Sequence, residues 1–415
     1  MLKDFFRSPR MLGRLRSGPA GPFLEGFAAE LESGGYSRLT TRAHLSAAAH
    51  LCHWAASKGL TISSLDDAIG LRFRRHLSCC RCRPSQGKYA NSAGASEKLF
   101  RNYLCQTGAI TPGIAQYEET KAGKLLNHFR QWMIQNRGLS HRTLDEYRPI
   151  VASLLDFVEG DPGQIDFRKV REFIIDRTAR HGKSNFRGVT TALRTFLRYL
   201  LAEGKCQTGL DAALPAVAQW RLSALPRYLP ASDVERVLAA CDPSTETGSR
   251  DRAIVLLLAR LGLRASDVVG LRITDIDWEN ASIRVSGKGR TEVRLPLTQE
   301  IGDALLNYLE HGRPAVDSDH VFTRAIAPRR PFSNSGLVSK VVARAIKRAG
   351  IVTTFRGAHV LRHSAATGML QQGMTLQDIG SILRHRSIET TAHYAKVDVK
   401  LLQLVVQPWP EVSSC

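Results

Sequence analysis

The chain has 415 residues, with 58 Lys and Arg against 38 Asp and Glu and a formal net charge of +20. That length supports roughly two to four domains, each with its own core. The charge points to a polyanion, nucleic acid ahead of an acidic membrane surface, because Lys and Arg contacts to phosphates supply most non-specific affinity. No apolar run approaches the roughly 18 residues of a spanning helix, and eight scattered cysteines are too few for a disulfide scaffold, so the composition fits a reducing, cytoplasmic compartment and excludes a membrane-spanning protein.

In chain order, residues 1–22 are Arg-rich with one acid before Glu25, superficially like an organelle transit peptide; a disordered basic arm lying along a nucleic-acid backbone, through Arg14 and Arg16, fits the rest of the chain better. Residues 23–110 read as an additional helical DNA-binding unit. Within it, His76, Cys79, Cys80 and Cys82 in HLSCCRC could hold a soft metal, but a closed tetrahedral site usually draws ligand pairs from separated segments, so thiols in a turn are the default reading.

GYSRLTTRAHLSAAAHLCHW (35–54) aligns without gaps on GLSHRTLDEYRPIVASLLDF (138–157), pairing Ser37 with Ser140, Leu51 with Leu154 and Trp54 with Phe157. Each copy follows a helical segment ending in glycine and opens with a serine suited to N-capping, which predicts two related helical units. The second unit spans residues 118–208. Residues 209–229, punctuated by Pro215 and Pro226, read as an interdomain linker. From 230 to 397 a third domain begins and ends with helices, with SIRVSGKGRTEVRLPL alternating polar and apolar residues on both sides of GKGR as a hairpin should, and RITDIDW supplying a third strand. The predicted fold class is mainly α with a small antiparallel β-sheet in this third domain. Residues 398–415 follow as an apolar tail.

The stretch HVLRHSAATGML (359–370) carries unusual polarity for a core helix. His359, Arg362 and His363 share one face at helical spacing, with Leu361, Ala365 and Met369 on another. A zinc helix would place a glutamate where Val360 stands and would need a third ligand nearby. Polar residues rimming a core helix are the bland alternative. An anion site, with an arginine fork and histidine donors or bases, is the third reading, and it needs partners elsewhere.

Such partners exist: LGLRASDVVGL with Arg264, SGKGRTEVRLPL with Lys288, and LRHRSIETTAHYAKV with His385 and Tyr394. In this order and spacing the four stretches resemble the tyrosine recombinases of the phage integrase family, closely over 230–400 and more loosely over 120–205. The resemblance implies a multi-domain, C-shaped DNA clamp. It also implies Tyr394 as the nucleophile forming a 3′-phosphotyrosyl ester, with His359 helping to remove a proton of ordinary pKa about 10. Arg264 and Arg362 would clamp the phosphate, Lys288 would be the general acid, and His385 would add a hydrogen bond or packing contact. Asp267 would buttress Arg264, and Arg290 and Arg384 would add DNA contacts.

The family usually has glycine where Arg384 stands, which places His385 in question. No metal and no cofactor is implied, because the arginines supply the charge and bond energy is conserved. The implied partners are double-stranded DNA at recombination sites, three further copies of the chain in a homotetramer that makes a four-way junction, and partner recombinases. The implied setting is the nucleoid-associated cytoplasm of a prokaryote, in integration, excision or transposition of a mobile element. A type IB topoisomerase uses a similar residue set as a monomer; the apolar tail, suited to docking in a neighbouring subunit, argues against it. A DNA-binding accessory subunit with an idle catalytic domain is the other alternative.

Overall fold

The computed structural model describes residues 1–80, 90–110, 120–181, 186–215, 225–286, 292–385 and 387–397. The chain divides into two compact units, Met1–Glu30 with Arg38–Gln219, and Leu31–Ser37 with Trp220–Cys415. Helices dominate, with one three-stranded sheet, and among the described residues no helix is long and apolar enough to cross a membrane.

The N-terminal arm is not disordered. It forms helices α1 (Leu2–Phe5) and α2 (Pro9–Ser17), the second capped by the Ser8 hydroxyl with Pro9 in its first turn. Leu2, Phe5 and Leu15 are buried, and that apolar burial offsets the entropy of ordering a short segment. Arg14 and Arg16 lie exposed on α2, and Arg16 donates to Glu25 at 3.2 Å.

The internal echo extends well beyond the segment that sequence alone reveals. The first block comprises α3 (Gly21–Ser33), α4 (Arg38–Ser57), α5 (Asp67–Leu77) and α6 (Ala90–Gln106); the second comprises α7 (Lys121–Arg137), α8 (His141–Phe157), α9 (Phe167–His181) and α10 (Phe186–Ala202). In each, a left-handed glycine (Gly35, φ 74°; Gly138, φ 59°) stops the first helix, where a side chain would be strained. A 3₁₀ turn (Ile62–Ser64; Pro162–Gln164) then leads to an aspartate N-cap, Asp66 or Asp166, each accepting a backbone N–H at 2.7 Å. The first and last helices of each block meet through an edge-to-face phenylalanine pair, Phe27 on Phe100 at 5.0 Å and Phe129 on Phe196 at 5.2 Å.

The segment read as a linker is partly core. Leu210–Ala213 is a 3₁₀ turn whose Leu210, with Leu214, is buried in the second block. At the other end Leu229 is buried in the second unit and its N–H donates to Ser364 Oγ at 2.8 Å.

In the second unit, α11 (Ala231–Ala239), α14 (Gln299–Asn307), α15 (Ser335–Arg348) and α16 (Ala358–Gln371) pack on α12 (Glu246–Ala259). Residues Ala253 to Ala259 of α12 are all buried, as expected for a helix surrounded on every side. The short α13 (Ala265–Gly270) precedes the sheet, in which β1 (Ile276–Asp277), β2 (Ser282–Ser286) and β3 (Glu292–Pro296) pair antiparallel in that order. Ile283 faces Leu295 across the predicted hairpin, and both are buried. Its turn, with Lys288 and Arg290, lies outside the described residues, as does the tail 398–415. Helices α17 (Leu376–Ile382) and α18 (Ile388–Ala392) and a 3₁₀ turn (His393–Val397) complete the unit.

Candidate active site

Helix α16 presents Arg362, buried to 2% exposure, and its two terminal nitrogens donate to the carbonyls of Gly262 and Leu383. Gly262 is required twice over: its φ is 60°, and a Cβ there would lie 2.4 Å from Leu383 Cδ2. Two residues on, Arg264 caps α13 and its Nη2 donates to the carbonyl of Arg384 at 2.7 Å. The two arginines are therefore fixed largely by neutral carbonyl dipoles.

Arg384 explains why glycine suits its position. It sits at φ 56°, in the left-handed region, and this turn directs two successive carbonyls, from Leu383 and Arg384, to the two guanidiniums. Its own side chain turns inward, 7% exposed, and pairs with Asp267. The Arg384 guanidinium, expected to contact DNA, lies in an internal ion pair. Asp267 Oδ2 also accepts the backbone N–H of Arg264 at 2.9 Å, so it supports Arg264 through the main chain.

Tyr394 is 2% exposed and packs with Ala366, Leu370, Ile379 and Leu383. Its hydroxyl lies 2.9 Å from Nδ1 of His363, and the His359 ring meets His363 edge to face at 4.3 Å. The residue that sequence reasoning passed over is therefore His363. The signal was available, since His363 shares the polar face of α16, but the motif directs attention to His359. His385 lies parallel to the Tyr394 ring at 6.3 Å and is held by a 2.8 Å hydrogen bond between its Nδ1 and Thr391 Oγ1.

Burial sets the protonation of this pocket. Desolvation first, and then neighbouring imidazoles and cations, push His363 down to about 4; desolvation with Arg362 and Arg264 does the same to His385. His359 is lowered for the same reasons, and Arg362 falls to about 10 through burial beside Arg264. Burial raises the Tyr394 phenol while Arg362 pulls it the other way. At neutral pH the pocket holds uncharged imidazoles, a protonated phenol and charged arginines.

Such a pocket defines a class of protein: a mainly helical one that can hold an anion at fixed arginines beside a buried tyrosine. The model of the phage integrase family matches residues 227–400. Over 99% of both chains, this one is 36% identical to a Sinorhizobium fredii protein described as "Putative integrase/recombinase y4rA". It is 29% identical to the tyrosine recombinase XerC of Thermodesulfovibrio yellowstonii, over 67% of this chain and 91% of that one. The fold is shared with a XerH site-specific recombinase bound to a palindromic difH substrate, at a TM-score of 0.53 and 22% identity over 81% of this chain and 93% of the other. The chain belongs to the phage integrase family of tyrosine recombinases, and its general activity is site-specific recombination.

Proposed function

We propose that this chain cuts and rejoins double-stranded DNA at specific sites through a 3′-phosphotyrosyl ester on Tyr394, to integrate or excise a mobile element. The observation that carries the reading is the Tyr394 hydroxyl, 2.9 Å from a neutral His363 imidazole in the pocket of Arg362. The phenol oxygen attacks phosphorus while its proton passes to His363, with the His359 ring edge to face against it. The bond from phosphorus to the 5′-oxygen breaks, and Lys288 delivers a proton to that oxygen. Arg264 and Arg362 bind the non-bridging oxygens, where charge grows, and their prior fixation by carbonyls removes the reorganisation cost at that moment.

His363 is a weak base in the empty pocket, so the incoming phosphate has a second effect. Its negative charge offsets the arginines and raises the imidazole pKa toward its ordinary value. Attack by a 5′-hydroxyl from a second duplex reverses the chemistry and yields a four-way junction, in a tetramer whose tails exchange between subunits. Arg14, Arg16 and Arg290 are the candidates for further backbone contacts, and partner recombinases complete the assembly where the two sites differ.

A nicked suicide duplex carrying the site should trap an SDS-resistant adduct. Peptide mapping should place it on Tyr394, and Tyr394→Phe should give none. An adduct persisting in that variant removes Tyr394 from the role.

A further inference from the structure

The HLSCCRC stretch looks incomplete as a metal site in sequence because its candidate ligands come from one segment. The fold supplies the missing segment. His50, in the middle of α4, places Nε2 3.4 Å from Cys80 Sγ, and His76, in the last turn of α5, brings its ring to 5.5 Å from that of His50. The three donor atoms all lie within 4.8 Å of one another, and each residue is half-buried. In a tetrahedral zinc site an imidazole nitrogen and a thiolate sulfur lie about 3.5 Å apart, so the His50–Cys80 separation already matches, and the His76 donor lies within 4.8 Å of both.

We infer that His50, His76 and Cys80 bind one zinc ion that staples α4 to the end of α5 in the first helical block, with water in the fourth position. Two imidazoles and one thiolate suit a borderline-soft divalent ion rather than calcium or magnesium, which take oxygen ligands. Binding converts the Cys80 thiol to a thiolate and releases its proton to solvent.

The surroundings fit a structural site. Trp54 stacks on His76 at 5.6 Å and Phe73 meets His50 edge to face at 5.2 Å, so aromatic rings hold both imidazoles in orientation. Cys79 is directed elsewhere, its thiol facing the carbonyl of His76 at 3.6 Å, so the fold selects Cys80 from the adjacent pair. Cys82 lies outside the described residues. The site shares no residue with the pocket of Tyr394.

The test uses full-length protein stripped with chelator and titrated with Zn²⁺ or Co²⁺ alone. One ion should bind per chain, Co²⁺ should give a thiolate charge-transfer band, and Zn²⁺ should raise the Tm. His50→Ala, His76→Ala and Cys80→Ser should each weaken binding by at least about a hundredfold, since loss of a supporting residue alone costs about ten to a hundredfold; Cys79→Ser should change it less than about threefold. If a variant misfolds by circular dichroism, the wild-type cobalt spectrum still decides. Absence of the thiolate band in wild type, or its persistence in folded Cys80→Ser, overturns the proposal.

Discussion

In the first helical block, Glu97 of α6 is fully buried, with Arg74 at 3.0 Å and Arg101 at 2.7 Å on its carboxylate oxygens. In the catalytic unit, Arg362 is as deeply buried, yet its terminal nitrogens meet carbonyls, and Arg264 is likewise tied to a carbonyl. Among the described residues, Asp267 is the carboxylate that the cluster shows; it is paired with the third arginine, Arg384, and offsets part of the charge of Arg362. The difference separates structural from functional burial of charge. A carboxylate between two arginines offsets one of their charges locally; carbonyl dipoles fix a guanidinium while leaving its charge available to a ligand.

The comparison breaks if both clusters respond alike to truncation. Arg362→Ala and Arg264→Ala should lower single-turnover cleavage by about 10²–10³, the usual loss for a fixed transition-state donor. Arg362→Lys should not restore it, because an ammonium lacks the planar fork. Glu97→Gln should leave cleavage at saturating DNA within about twofold while lowering Tm, since it weakens the pairing of the buried Arg101 without touching the pocket.

Within the pocket, Asp267 and Arg384 sharpen the contrast. Asp267→Asn leaves a buried cation unpaired and should cost about 3–5 kcal/mol in denaturant unfolding. Arg384→Gly removes that cation and relieves a left-handed backbone worth about 1–2 kcal/mol, so it should cost clearly less. The double variant should lie near the glycine variant alone. An additive double variant would show that the pair is not coupled.

Stability also depends on pH. His363 titrates near 6.5 when unfolded and about 4 when folded, so the unfolded chain takes up its proton first as pH falls. The folded state is therefore fully favoured above about 6.5 and loses this contribution progressively down to about 4, and His385 acts in the same direction over the same window. Thermal melts across that range should show Tm falling, with a shallower fall in His363→Asn. An unchanged slope would contradict the buried, neutral imidazole.

Sequence reveals the parts of this site that depend on side-chain identity. Arg264, Arg362 and Tyr394 could be read from motif order, and the hairpin and helical units from periodicity and caps. The carbonyls of Gly262, Leu383 and Arg384 that hold the arginines could not, because main-chain oxygens are common to every residue and only the fold selects three of them. His363 was visible but assigned no role, since a shared helix face does not say which histidine meets a tyrosine that lies 31 positions away. The inward turn of Arg384 escaped for the same reason, its partner Asp267 being 117 positions distant. The helices of the arm and the buried ends of the linker escape sequence because short, punctuated segments carry little periodicity, while Leu2, Leu15, Leu210 and Leu214 find cores that only the tertiary structure supplies.

The central claim is that the charge of Arg264 and Arg362, held by main-chain carbonyls, exists to meet the charge of the scissile phosphate. A duplex with a neutral methylphosphonate at that position tests it directly. With ordinary phosphate, Arg264→Ala and Arg362→Ala should lose about 10²–10³ in cleavage rate. With methylphosphonate, which needs no charge neutralised, the same variants should fall less than about tenfold below wild type on that substrate. Equal losses on both substrates would show that the arginines serve the pocket's architecture and not the phosphate.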